Sequence, residues 1–185
     1  MISLLIIKAG IEMMIETFND IVGRRADAEL SARVKAILAE EPEVRGAYDL
    51  TMFNFGPDKD YASVHIELAD TMTVDEVDRL TRALQYKVYA ETGVILTGIG
   101  VYSFNTTDAE AAAMRAAVEE TVLRHDWALQ VHGFYADTQA KTMRFDAVVS
   151  FDIDRAEALG IMTREIGELY PGYTVQIVPD TDVTD

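Results

Sequence analysis

The chain has no cysteine and three histidines, His65, His125 and His132, set among 32 acidic residues. That inventory removes disulfides, thiolate metal sites, cysteine-ligated iron–sulfur clusters and cysteine nucleophiles. It leaves imidazole and carboxylate donors, the set that suits borderline divalent cations. Each histidine also has a plain structural explanation. His65 lies on the polar side of a strictly alternating run, in which Ala62, Val64, Ile66 and Leu68 face one way and Tyr61, Ser63, His65 and Glu67 the other. It is either a solvent-facing hydrogen-bonding group or a ligand. His132 sits among Val131, Phe134 and Tyr135, a setting for a core or interface histidine as much as for a ligand. His125, in Leu123-Arg124-His125-Asp126 at a helix end, complements the helix dipole. The acidic tail Asp180, Asp182, Asp185 and the run Glu40-Glu41-Pro42-Glu43 read as solvated charge. No glycine-rich phosphate loop, nucleophile elbow or HExxH motif is present, so an enzymatic role is disfavoured.

The elements that must position these groups come in two similar sets. A helix with Leu30, Val34, Ile37 and Leu38 on one face spans about Asp27 to Ala39, and a strand follows from about Arg45 to Phe55. Gly56-Pro57-Asp58-Lys59-Asp60 has turn composition, and Tyr61 to Leu68 is the alternating strand. Thr73 with Glu76 predicts a capping box for a helix carrying Val74, Val77, Leu80, Leu84 and Val88. Gly93 ends it, and Val94 to Ser103 is a strand. The order αββαβ then recurs. Thr107 with Glu110 predicts a capped helix to about His125, and Trp127 to Ala136 a strand. Thr142 to Ile153 predicts a long strand with Met143, Phe145, Ala147, Val149, Phe151 and Ile153 on its apolar face. Asp154 with Glu157 caps the next helix, Pro171-Gly172 breaks it, and Tyr173 to Val178 is the last strand. The expected class is α+β: two tandem αββαβ ferredoxin-like open-faced sandwiches behind an N-terminal amphipathic helix. The expected divisions are 1–25, 26–104 and 105–185, with a short join at Asn105-Thr106. By this alignment Tyr48 matches His132, and His65 matches Ser150.

At 185 residues and 49% apolar composition the chain can bury real cores. Its 16 basic against 32 acidic residues give a net charge of −16. A polyphosphate would be repelled, so nucleic acid is not an expected partner, while cations are favoured. No stretch has the ~18–20 apolar residues of a complete membrane span. Ile2 to Ile7 is nearly all apolar, and Ile11, Met14, Ile15, Phe18, Ile21 and Val22 continue with helical spacing to Gly23, before Arg24 and Arg25. Charge after the apolar run is the wrong order for a signal peptide. It fits the last turns of a membrane helix entering a basic step on the cytoplasmic side, or an amphipathic helix covered by its own domain or a twin.

Lys8-Ala9-Gly10-Ile11 through Asp27-Ala28-Glu29-Leu30, then Gly46-Ala47-Tyr48-Asp49-Leu50 and Ser63-Val64-His65-Ile66-Glu67-Leu68, resemble the cation diffusion facilitator family of efflux transporters. The likeness covers Met1 to about Ser103: the end of the last membrane helix joined to the cytoplasmic C-terminal domain. The second set resembles a divergent extra copy of that domain. The resemblance implies export of divalent cations such as zinc, manganese or iron, homodimers, and location at the cytoplasmic face of the cell membrane. It also implies that this chain cannot transport without a membrane domain, which would be its partner.

The resemblance also implies metal positions. Tyr48 stands where the family has a histidine, His65 matches a second, and Asp78 falls near a helical histidine of some members. His132 and Asp180 fall near the first histidine and the terminal aspartate in the second unit. The expected ligands are therefore His65, Asp78, His132 and Asp180, binding zinc or another divalent cation. Weak or no binding is expected, on the order of tens of micromolar or weaker if present, since few donors are preorganised. The two partial sites act together only if the two units face each other as the family's paired chains do, an arrangement that covalent linkage promotes. The alternative is an interaction domain that binds no metal.

Overall fold

A computed structural model describes residues 2–22, 28–54 and 60–180. They form α1 (Ile2–Val22), α2 (Ala28–Leu38), β1 (Gly46–Asn54), β2 (Asp60–Ala69), α3 (Val74–Thr92) and β3 (Ile95–Phe104). There follow α4 (Ala109–Leu123), β4 (Ala128–Asp137), β5 (Thr142–Val149), α5 (Arg155–Leu169) and β6 (Thr174–Asp180). The chain is thus α+β, with two αββαβ sandwiches behind an N-terminal helix, as expected. The sheets have orders β1-β2-β3 and β4-β5-β6. In each, the first pair is antiparallel and the second parallel. A parallel pair needs a crossover, and α3 and α5 supply it.

The alternation in β2 puts Ala62, Val64, Ile66 and Leu68 onto Val34, Ile37 and Leu38 of α2 and Leu84 and Val88 of α3. The second unit has its own core: Met143, Phe145, Ala147 and Val149 of β5 pack on Met114, Val118 and Val122 of α4 and Ala158, Met162 and Ile166 of α5. Each buried Val, Leu, Ile, Met or Phe side chain among them contributes about 1.5–3 kcal/mol on burial.

Thr73 and Glu76 form the expected capping box, with Glu76 accepting from the Thr73 N–H at 2.8 Å. Gly93 closes α3 at φ 76°. Asp154 caps α5 by accepting from the N–H groups of Ala156 and Glu157. At α4 the structure corrects the sequence: the cap is Asp108, not Thr107. The Asp108 carboxylate accepts from the N–H groups of Glu110 and Ala111 at 2.9 and 3.1 Å, and from the Thr138 hydroxyl at 2.9 Å. A hydroxyl could not serve so many donors, so the helix starts one residue later.

Strand β5 is also shorter than expected. The Ser150 hydroxyl accepts from the Asp152 N–H at 3.3 Å, a local turn that ends the ladder. Phe151 is therefore left 86% exposed, while Ile153 reaches back onto the second core.

Helix α1 runs unbroken from Ile2 to Val22, and Leu4, Leu5, Ile7, Ile11, Met14 and Ile15 are all exposed. The side chains of Phe18, Ile21 and Val22, the Gly23 stop, the turn at Gly56 to Lys59, and Asp182 and Asp185 lie outside what is described. Among the described residues, no helix is long and apolar enough to cross a membrane.

The helix-free side of the first sheet meets the second unit through polar groups. Glu67 of β2, wholly buried, pairs with Arg115 of α4 at 3.1 Å. The Asn105 amide brackets the Ala136 backbone, donating to its carbonyl at 3.1 Å and accepting from its N–H at 3.2 Å.

Candidate metal centre

Both N-terminal strands carry a bulge at the same place. In β1, Tyr48 pairs with His65 and Thr51 with Ser63, so Asp49 and Leu50 share one position opposite Val64. Leu50 takes the core side, 2% exposed, and Asp49 is the extra residue, at φ 53°. Aspartate tolerates this left-handed conformation better than most residues. In β4, His132 pairs with Asp146 and Tyr135 with Arg144, so Gly133 and Phe134 share the position opposite Phe145. Phe134 takes the core side, and Gly133 is the extra residue, at φ 63°. The bulge brings Asp49 to the face that carries Tyr48 and His65, where plain alternation would have sent it inward.

On that face the two units build one cluster. The Asp49 Oδ1 lies 2.9 Å from His132 Nε2, and the Asp49 Oδ2 lies 3.0 Å from His65 Nδ1. The Tyr102 hydroxyl of β3 lies 2.5 Å from Asp49 Oδ2 and 2.8 Å from Asp146 Oδ2. The rings fix one another: Tyr48 stacks on His132 at 4.7 Å between centroids, and Tyr102 on His65 at 4.6 Å. Gly100 lies so close under His65 that a Cβ there would overlap the imidazole. Asp180, at the end of β6, completes the group. One donor atom each from Asp49, His132 and Asp180 lie within 4.8 Å of one another.

These contacts are close, yet the imidazole N–H directions do not fall on the oxygens. Among the described residues, Asp49 Oδ1, His65 Nδ1 and both nitrogens of His132 lack an aligned hydrogen bond, although His132 is 1% exposed. Buried polar atoms without partners are costly unless something else satisfies them. Two ligands about 2.0–2.1 Å from one tetrahedral ion stand roughly 3.3 Å apart. The donors stand from 2.9 Å to at most 4.8 Å apart, so small side-chain movements would seat an ion among them, and nitrogen with carboxylate oxygen is the donor chemistry of a borderline divalent cation.

The local charge is also one that a cation relieves. Burial opposes ionisation of Asp49, but its contacts with His132, His65 and Tyr102 hold the carboxyl well below the usual carboxylate range. The Asp49 carboxylate raises the His65 imidazole above its ordinary value, against the effect of burial, with Asp146 adding to the rise. Burial, then the neighbouring Asp49 and Asp146, push the Tyr102 phenol far up, so it keeps its proton.

Three of the four expected ligands meet here. His132 and Asp180 are in the donor cluster, and His65 flanks it on the other oxygen of Asp49. Because His65 and His132 both touch one carboxylate, they are well inside the ~10 Å beyond which a shared site is impossible. Asp78 is not brought in: it stands exposed on α3, paired with Arg82 at 2.8 Å. The residue missed was Asp49, hidden beside Tyr48 by the expectation of strict alternation. A second adjustment concerns equivalence. Strand pairing puts Asp146, not Ser150, in the place of His65, because fewer residues separate His132 from Asp146 than Tyr48 from His65. His125 lies elsewhere, stacked on Trp127 at 4.6 Å and 2.9 Å from Glu165.

No protein-family profile and no curated protein matches the chain. Among solved structures it is similar to a nickel form of the MamM CTD, at 20% identity and TM-score 0.35, over 40% of this chain and 92% of that one. It is also similar to the metal-bound C-terminal domain of the CzcD transporter from Thermotoga maritima, at 15% identity and TM-score 0.38, over 47% and 99%. A copper form of the MamM CTD matches at 19% identity and TM-score 0.36, over 42% and 95%. Each match spans less than half of this chain and nearly all of the matched domain.

Proposed function

We propose that this chain is a regulatory region of a divalent-cation efflux transporter, in which one bound cation bridges the two αββαβ units of a single chain. The observation that carries the proposal is the convergence of Asp49 from the first unit with His132 and Asp180 from the second. The Nδ1 of buried His132, without a partner among the described residues, supports it, as does the resemblance of the segments around Lys8, Tyr48 and His65 to the cation diffusion facilitators. Ligands drawn from both units make the docked arrangement the one with higher cation affinity, so binding shifts the population toward it. The region would lie at the cytoplasmic face of the membrane, tethered to the transport helices, with α1 continuing the last of them. Three donors already gathered support binding tighter than the tens of micromolar expected of two separated histidines.

Calorimetric titration of Zn²⁺ and Mn²⁺ into the full chain tests this. The expected result is one ion per chain, with a midpoint that does not depend on chain concentration and is lost in Asp49→Ala. One ion per two chains, or no heat of binding, would overturn it.

A further inference from the structure

We propose that Tyr102 is the positioning residue of this centre: its hydroxyl holds Asp49 Oδ2, so that Oδ1 alone is presented to the cation beside His132 and Asp180. The inference rests on the cation reading above and concerns how the site is set, not whether it exists.

A carboxylate with both oxygens free can swing about its last torsion and take an ion with one oxygen or both. Asp49 does not have that freedom. Its Oδ2 accepts from the Tyr102 hydroxyl at 2.5 Å and lies 3.0 Å from His65 Nδ1, without an aligned hydrogen bond there, while its Oδ1 lies 2.9 Å from His132 Nε2. The hydroxyl is itself held from three sides. The ring stacks on His65 within 19° of parallel, leans on the His132 ring at 5.6 Å, and presses on Gly133, where a Cβ would come within 3.0 Å of it. Only glycine leaves room for the Tyr102 ring at this point of the second unit.

The hydroxyl also touches Asp146 Oδ2 at 2.8 Å. A phenol carries one proton, and two carboxylate oxygens compete for it. When the proton goes to Asp49, the Asp146 oxygen faces a lone pair, and the two carboxylates repel through the shared oxygen. A cation on Asp49 Oδ1 draws charge from that carboxylate and lowers the repulsion. Cation binding and the Tyr102 contact therefore reinforce each other. Strand pairing shows the same economy of position: Tyr102 lies opposite Glu67, and Asp180 opposite Val148. One unit thus places a positioning group where the other places a donor.

Cobalt(II) bound to the full chain reads this out, because its d–d absorption weakens sharply as coordination rises from four to five or six. In Tyr102→Phe, Oδ2 loses its hydroxyl donor and keeps only the unaligned contact with His65 Nδ1, which leaves it able to join the ion. The expected result is weaker d–d bands, affinity lower by about 10- to 100-fold, and still one Co²⁺ per chain. Asp146→Asn leaves the Tyr102 proton to Asp49 and should keep the wild-type band intensity, while the loss of its charge changes affinity. If Tyr102 only staples the units together, Tyr102→Phe loses affinity with no change in the bands; that result overturns the inference. Wild-type bands and affinity in Tyr102→Phe also overturn it. Should Tyr102→Phe fail to fold, weaker d–d bands in Asp146→Asn are sufficient to overturn it. Absence of Co²⁺ binding by the wild-type chain defeats the cation reading and this inference together, whereas the other failures defeat this one alone.

Discussion

Asp49 and Gly133 are counterparts, the extra residues of two bulges at equivalent points of β1 and β4, with φ of 53° and 63°. One spends its side chain on the cluster with His65, His132 and Tyr102. The other has none, and the Tyr102 ring fills the space a side chain would take. The site owes its asymmetry to this difference: a second aspartate at 133 would meet the Tyr102 ring.

Gly133→Ala should therefore be more destabilising than Gly93→Ala. Both positions have positive φ, at a cost of roughly 1–2 kcal/mol for alanine. At Gly93 nothing lies within 4 Å of a new Cβ, whereas at Gly133 the Tyr102 ring stands at 3.0 Å. Urea unfolding of the two variants compares them, and equal losses would remove the packing role assigned to Gly133.

Asp180→Asn should weaken zinc binding strongly, while Asp78→Ala should leave it unchanged. Asp180 contributes a donor to the cluster, and Asp78 is a surface partner of Arg82. A titration of both variants checks the pair, and equal affinities would show that Asp180 is not a ligand.

Arg115→Ala should cost about 3–5 kcal/mol, since it strips a buried carboxylate of its main cation. Glu67 is wholly buried between the units, with Arg115 at 3.1 Å and the part-exposed Arg45 at 3.5 Å. Glu67→Gln should cost less, because the amide carries no charge to leave unpaired. Chemical denaturation gives the order directly, and a larger loss in Glu67→Gln would refute it.

Acid should act through Glu165. Burial tends to raise its carboxyl, but His125 and Arg124 bring it below the ordinary 4.5. A depressed folded value means that its contribution is full above the unfolded value and lost as pH falls through the folded one. The stability difference between wild type and Glu165→Gln should be constant at neutral pH and shrink below about pH 4.5. A difference that grows on acidification would reverse the sign.

Removing residues 1–23 should raise solubility or change the association state, because α1 leaves Leu4, Leu5, Ile7, Ile11, Met14 and Ile15 uncovered. Sedimentation of the full and shortened chains tests it. Identical behaviour would mean that the stripe meets nothing.

Periodicity made most of the fold readable. The inward row of β2 and the caps at Thr73 and Asp154 are local patterns, and local chemistry decides them. Two local competitions were decided by details of hydrogen bonding: Asp108 outdid Thr107 as a cap, and Ser150 turned the chain before Phe151 could join β5. His65 and His132 stand out because the chain has only three histidines, but their selection with Asp180 as ligands rests on the family resemblance, since the residues alone read Asp180 as solvated tail. Asp49 could not be picked out, because one inserted residue reverses the alternation on which facing is judged, and the insertion shows only when the partner strand is counted against it. The Tyr102 bridge to Asp146 depends on how the two units dock, which no spacing within either unit encodes.

The two separate cores carry a kinetic consequence. Each sandwich closes mainly on contacts within itself, whereas Asp49 meets His132 and Tyr102 meets Asp146 only across the join. Such distant pairings are made late, after the local ones have formed. Interactions absent from the folding transition state change the rate of unfolding rather than the rate of folding. A cation held at this join would slow the parting of the units without speeding their formation, so its mark on the molecule is residence time in the closed form.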